Sequence, residues 1–147
     1  MKSIFVTCLF LFLCASVSLK AQNVVFIFSA PNDDEIIKFD EEKHLKSVEF
    51  FVTGLKTVDE VSALVQKMAA VRGVQSFVIS EEEIDGRRAA AGVFDGCCSL
   101  DFFKKFLLDA EVYDLIINEK PLKSEDLHTV WKSKKEENPT KPIHDLE

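Results

Sequence analysis

Residues 48–61 read Val48-Glu49-Phe50-Phe51-Val52-Thr53-Gly54-Leu55-Lys56-Thr57-Val58-Asp59-Glu60-Val61, and a change of period inside this stretch decides the fold. Up to Thr53 the side chains of Val48, Phe50 and Val52 share one face, as in a strand that buries one side. Gly54 then breaks the strand. From Val58 the apolar spacing becomes three and four, through Val61, Leu64, Val65, Met68 and Val71, which predicts one face of an amphipathic helix. Thr57 and Glu60 stand at capping-box spacing: the hydroxyl can accept from the amide of Glu60 while the carboxylate reaches back to the amide of Thr57. Asp59 adds negative charge in the first turn, where the helix dipole favours it. Arg72-Gly73 closes the helix with a basic residue and a glycine suited to a left-handed cap.

Working outward, residues 74–80 form a second strand rich in branched side chains, and Asp85-Gly86 is a hairpin signal. Residues 89–94 return as a third strand whose small side chains let a helix lie close. Ser99 can cap a second helix with Leu100, Phe103, Phe106 and Leu107 on one face. Residues 112–118 make the fourth strand, which Glu119-Lys120-Pro121 ends. The order strand, helix, strand, strand, helix, strand predicts an α+β fold: a ferredoxin-like βαββαβ sandwich, with an antiparallel four-stranded sheet and two helices on one face. The other face is left for water, the N-terminal segment, the tail or a partner.

Before this unit, residues 23–29 alternate as Val24, Phe26 and Phe28 against Val25 and Ile27 and read as a buried or half-buried strand that ends in the turn at residues 30–34. Residues 36–39 are expected as its short hairpin partner and residues 40–46 as a charged linker. This N-terminal strand or hairpin is expected either at the sheet edge or across the bare face. After the unit, Leu127, Val130 and Trp131 fit one or two helical turns that Ser124 caps and that dock on the domain. Residues 132–147 are charged, carry Pro139 and Pro142, and are expected to be disordered.

The first 21 residues have the three parts of a secretory signal: Lys2, an apolar run from Ile4, and small residues leading to Ala21. The run of about 14 residues is short of the roughly 20 that span a bilayer, so no permanent membrane span is expected. The expected organisation is therefore a signal peptide over residues 1–21, an N-terminal strand or hairpin with its linker over 22–46, the βαββαβ domain over 47–121, and a short helix with a charged tail over 122–147. The protein is expected to be exported, either periplasmic or secreted. Loss of Lys2 and Lys20 takes the net charge from −7 to −9, which argues against nucleic acid and anionic lipid as partners. Of the four cysteines only Cys97 and Cys98 remain, and neighbours in sequence cannot staple a long loop.

The stretch Phe50-Phe51-Val52-Thr53-Gly54-Leu55 resembles the first strand and loop of the heavy-metal-associated domain family, and Val71-Arg72-Gly73-Val74-Gln75-Ser76-Phe77-Val78 resembles that family's passage into its second strand. The family carries soft metals on Gly-Met-x-Cys-x-x-Cys. Here Leu55 stands at the methionine, and Thr57 and Glu60 stand at the two cysteines. The resemblance, over residues 48–118, implies the fold and a degenerate member without the Cys-x-x-Cys ligands. Soft ions such as Cu(I) are selected by thiolates, and neither a hydroxyl nor one carboxylate replaces them. Thr57 and Glu60 are accordingly expected to cap the helix and not to bind metal.

Cys97 and Cys98 are the alternative ligands. The topology sends them to the pole opposite Thr57, between Gly96 and a helix start, where the helix dipole can favour thiolate. A Cu(I) or Zn site, alone or shared across a homodimer, a thiol redox role, and simple packing of one thiol all remain open. The acidic residues Glu81, Glu82, Glu83, Asp85 and Glu111 are expected at the Thr57 pole as a solvated turn. His44, His128 and His144 lack the spacing of a zinc site and are expected on the surface. No nucleophile elbow, phosphate loop or dinucleotide fingerprint is present. The expectation is a non-enzymatic interaction domain without cofactor, which binds a protein partner through the open sheet face, a strand edge or the acidic pole.

Overall fold

The computed structural model describes residues 23–32 and 35–128. The readings made for residues 1–21, for Val130, Trp131 and His144, and for residues 132–147 lie outside the described residues. In chain order the elements are β1 (Val25–Phe28), β2 (Ile37–Asp40), β3 (Leu45–Thr53), α1 (Val58–Ala69), β4 (Val74–Ile79), β5 (Arg88–Asp95), α2 (Leu100–Asp109), β6 (Asp114–Ile117) and β7 (Lys120–Lys123), followed by a short 3-10 turn, Ser124–Asp126.

The strand-to-helix passage stands as its sequence predicts. Val48, Phe50 and Val52 are buried on one side of β3, and Val61, Leu64 and Met68 are buried on α1. Val58 is the exception: as the first residue of α1 it precedes the turns that touch the sheet, and it is 46% exposed. The α+β class holds, with strands and helices in the expected order from β3 to β6.

The four-stranded antiparallel sheet does not. The sheet has seven strands in the order β4-β5-β3-β1-β6-β7, with β2 also paired to β3. The N-terminal strand β1 lies neither at an edge nor on the bare face. It is inserted between β3, to which it is antiparallel, and β6, to which it is parallel, so the sheet is mixed. The physical reason is in its composition. Phe26 and Ile27 are neighbours that point to opposite faces, and both are buried, a pattern suited to a strand flanked on both sides.

Three further expectations change for local reasons. β2 pairs with β3 and not with β1, from Ile37↔Val48 to Asp40↔Leu45, so the two N-terminal strands follow one another along the same edge of β3. Glu119-Lys120-Pro121 does not end the structure: Asn118 and Glu119 take φ of 47° and 68°, as a two-residue hairpin turn requires, and the chain returns as β7 against β6. Pro121 is tolerated there because β7 is an edge strand. Ser124 caps nothing. It is fully buried, and its hydroxyl donates to the Val112 carbonyl at 2.6 Å, tying the segment after β7 to the residues just before β6.

Both helices pack on one face of the sheet. Residues from α1 (Val61, Leu64, Met68) and α2 (Phe106, Leu107) join the inward residues of β1, β3, β4, β5 and β6 in a single core. Its centre is a chain of rings: Phe26 and Phe50 lie 4.7 Å apart, Phe50 and Phe77 6.0 Å, and Phe77 meets Phe106 of α2 edge-on at 6.0 Å. The small side chains of β5 let the helix side close in. A Cβ at Gly92 would stand 2.7 Å from the Phe94 ring, so the ring needs that glycine to lie flat over β5. Among the described residues no helix is long and apolar enough to cross a membrane.

Candidate functional site

The loop that joins β3 to α1 is built as structure. Gly54 turns the chain with φ of 92°, and a Cβ there would stand 2.3 Å from the carbonyl oxygen of Asn23, beside β1. Leu55 points inward and is buried in the core. Thr57 has the extended backbone of an N-cap, its Oγ1 accepts from the Glu60 amide at 3.2 Å, and the Glu60 carboxylate accepts from the amides of Thr57 at 3.1 Å and Lys56 at 2.6 Å. This is a complete capping box. Both side chains at the positions the resemblance assigns to metal are therefore committed to backbone amides.

Beneath this loop sits an unforeseen residue. Arg88 is 5% exposed; its guanidinium donates to the carbonyl of Leu55 at 3.4 Å and to the carbonyl of Glu81, and pairs with Glu83 at 3.5 Å. It ties the β3–α1 loop to the hairpin between β4 and β5, which confirms that the two share a pole. Glu111 is engaged elsewhere, by Lys67 in the last turn of α1 at 3.8 Å. Among the described residues no three His, Cys, Asp or Glu side chains come together as a metal-binding group.

The cysteines lie at the other end of β3, where Gly96 donates to the His44 carbonyl at 2.7 Å and Lys46 reaches the Cys98 carbonyl at 2.6 Å. His44 belongs to the β2–β3 turn with φ of 52°. Cys97 is exposed and Cys98 is buried, so the two thiols do not face one open site. The Cys98 Sγ is 3.7 Å from the Gly73 carbonyl, to which its S–H donates. Burial pushes its pKa up, the neighbouring Cys97 and Asp95 push it further, and Lys46 opposes them. The expected lowering by the helix start is not realised at Cys98. Ser99 is the N-cap, accepting from the Phe102 amide at 3.3 Å, and the thiol is turned away into the core. A soft metal does not fit what is present: the loop offers no thiol, and the cysteine pair offers one exposed thiol beside a buried one held protonated.

The side of the sheet away from the helices carries an apolar row. Strand registers align Ala89, Phe51, Ile27, Ile116 and Pro121 side by side across β5, β3, β1, β6 and β7. Phe51 is 44% exposed, and Val78 on β4 is 54% exposed. Between them Ala89 and Ala91 leave an open trough of about 620 Å³, with Ile27 at its far wall and Ser29 and Glu49 at its rim. Charges at the margins are paired, Glu49 with Lys38 at 3.7 Å and Asp114 with Lys123. The inserted strand creates this row by placing Ile27 between Phe51 and Ile116. The sequence signal was that β1 is apolar on both faces and that β6 carries Leu115, Ile116 and Ile117 in a row; their adjacency is a matter of topology.

A second hollow, between α2 and the sheet, is lined by Phe26, Phe50, Phe77, Phe94, Phe103 and Leu127 among others and has a volume of about 100 Å³. It is smaller than the cavity of about 150 Å³ that admits benzene in an engineered core. It is a gap in ring packing. Compared with protein-family models, curated proteins and solved structures, the chain matches none significantly. The site must be read from its own chemistry.

Proposed function

We propose that the chain is an exported, non-enzymatic interaction module that docks a protein partner on its open sheet face. In this reading the domain is a degenerate heavy-metal-associated unit: a ferredoxin-like βαββαβ core, widened by β1, that has given up soft-metal binding at Thr57 and Glu60. The observation that carries the proposal is the row Ala89, Phe51, Ile27, Ile116 and Pro121, apolar across five strands. Within it Phe51 is exposed, as is the nearby Val78, while Ile27 at the centre is buried; exposed large apolar side chains grouped in this way are what an interaction site presents. Its chemistry selects the partner. The row has no charge of its own and its marginal charges are already neutralised, so the surface fits an apolar protein stripe and not a polyanion or a headgroup.

Support against the metal alternative comes from the capping box, which uses both side chains at the ligand positions, and from the protonated, inward-facing Cys98. The test introduces a photoreactive phenylalanine analogue at Phe51, at Val78 and at the exposed Ser62 on α1, in the cells that make the protein. One discrete adduct is expected from positions 51 and 78, absent from 62 and abolished by Ile116→Lys in protein that still melts normally. Identical adducts from all three positions, or none, would sink the proposal. In parallel, anaerobic Cu(I) titration against a competing chelator should show no tight uptake that Cys97→Ser with Cys98→Ser removes.

A further inference from the structure

The hairpin between β4 and β5 carries the open face beyond the end of the sheet. Ser80 and Ala89 line the trough, and between them the chain runs through residues 81–87, all exposed, around a two-residue turn at Asp85 and Gly86 with φ of 53° and 74°. Two backbone bonds close that turn, from the Ile84 amide to the Arg87 carbonyl at 2.9 Å and from the Arg87 amide to the Ile84 carbonyl at 3.0 Å. Arg88 holds the base of the hairpin through the carbonyls of Leu55 and Glu81 and the carboxylate of Glu83. A loop fixed in this way loses little freedom when a partner binds it.

Ile84 is the most exposed large apolar side chain among the described residues, at 64%. Its direction follows from the strand beside it. Alternation along β5 puts the buried Arg88 on the side of Ala90 and Phe94, toward the helices, and Arg87 on the opposite side with Ala89. Ile84 is the cross-strand partner of Arg87 and shares that side. It therefore continues the apolar surface of Phe51, Val78 and Ala89. The charges around it are not balanced as they are at the margins of the row. Glu81, Glu82 and Asp85 are exposed, and among the described residues none of the three forms an ion pair. Glu83 is taken by Arg88, which leaves Arg87 as the one exposed cation of the hairpin.

We propose that the partner segment seated in the trough continues along this hairpin, packs an apolar side chain against Ile84, and sets lysine or arginine side chains against Glu81, Glu82 and Asp85. The inference rests on the docking of a protein partner at the open face and names the chemistry of the segment that docks there: apolar side chains flanked by basic ones. An uncharged stripe fills the trough equally well but leaves the three carboxylates partly desolvated and unpaired, and an acidic stripe is repelled.

The experiment places the photoreactive phenylalanine analogue at Ile84, alongside Phe51 and Val78, in the cells that make the protein, and mass spectrometry of the adducts reads the crosslinked segment. Position 84 should capture the same segment as positions 51 and 78, with lysine or arginine within a few residues of the crosslinks. Glu81→Lys with Glu82→Lys and Asp85→Asn should lower the adduct yield at position 51 about tenfold or more. Glu41→Gln with Glu42→Lys and Glu125→Lys makes the same change in net charge in the β2–β3 turn and the 3-10 turn, and should leave the yield unchanged. All six positions are exposed, and melting curves report that both variants fold. Adducts at 51 and 78 with none at 84, a crosslinked segment without basic residues, whether from another protein or from a second copy of this chain, or a hairpin variant no weaker than the distant one overturns the inference and leaves docking at the open face standing. No adduct at 51 and 78 overturns both.

Discussion

Thr57→Ala isolates the feature on which the loop turns. The substitution removes one hydrogen bond, from the Glu60 amide to Oγ1 at 3.2 Å, and leaves the two bonds from the amides of Lys56 and Thr57 to the Glu60 carboxylate in place. The 3.2 Å bond is at the long end for N–H···O, and the site is exposed, so the loss falls near the middle of the range for a threonine cap, about 1 kcal/mol. In a domain of this size that lowers Tm by about 4–8 °C. Urea unfolding should show the same loss as a lower midpoint with unchanged slope, because the surface exposed on unfolding is the same. Thr57→Ser should retain most of the stability. Glu60→Ala should cost a comparable amount, and Thr57→Ala with Glu60→Ala should deviate from the sum, since the two side chains form one reciprocal unit. A Thr57→Ala protein that melts with the parent would refute the capping account and return the loop to the status of a vestigial metal site.

Other outcomes follow from named contacts. Arg88→Met leaves the carbonyls of Leu55 and Glu81 without their buried donor and should destabilise the fold by about 1–3 kcal/mol in chemical denaturation. Gly54→Ala forces a Cβ onto the Asn23 carbonyl and a side chain into φ of 92°, so a loss of at least about 1 kcal/mol is expected in the same assay. Thr57→Cys with Glu60→Cys restores the family's Cys-x-x-Cys spacing. It should lose the cap's stability and gain thiol-dependent Cu(I) binding, and a folded variant with no gain in affinity would count against the family resemblance. For Cys98, alkylation of the native protein should modify Cys97 alone. Its folded pKa lies above the ordinary 9.0, so the protonated native thiol supports the fold below that value. That support is lost as pH rises through the folded pKa, because the unfolded chain has by then released the proton. Melting of the parent should therefore fall more steeply above pH 9 than melting of Cys98→Ala.

Much of the local structure was legible in residue order. The β3–α1 passage, the capping box at Thr57 and Glu60, the Ser99 cap and the separation of the cysteines from the loop all depend on groups a few residues apart or on strand direction, which the element order sets. The Cys98 environment was not legible. A helix start favours thiolate, but burial against Gly73 outweighs it, and burial is a property of packing. Ser124 shows the same limit: a serine before helical turns predicts a cap, and here its hydroxyl is drawn into the core by the Val112 carbonyl. The role of Arg88 was not legible, because although Glu81 and Glu83 belong to its own hairpin, the Leu55 carbonyl 33 residues away is brought to it only by the fold, as is its burial.

By itself the sequence determined that this is an α+β chain with strand and helix periods in βαββαβ order, and that the loop at Gly54 starts a helix without soft-metal ligands. Those properties follow from short-range sterics, hydrogen bonding and the alternation of apolar side chains. Only the tertiary structure decided that the N-terminal strand enters the middle of the sheet, between β3 and β6. Pairing partners are chosen by the total apolar surface buried on both faces of a strand, and a strand as apolar as β1 is accommodated where it has neighbours on both sides. That one insertion makes the sheet mixed, sets Ile27 between Phe51 and Ile116, and creates the apolar face on which the proposed function rests.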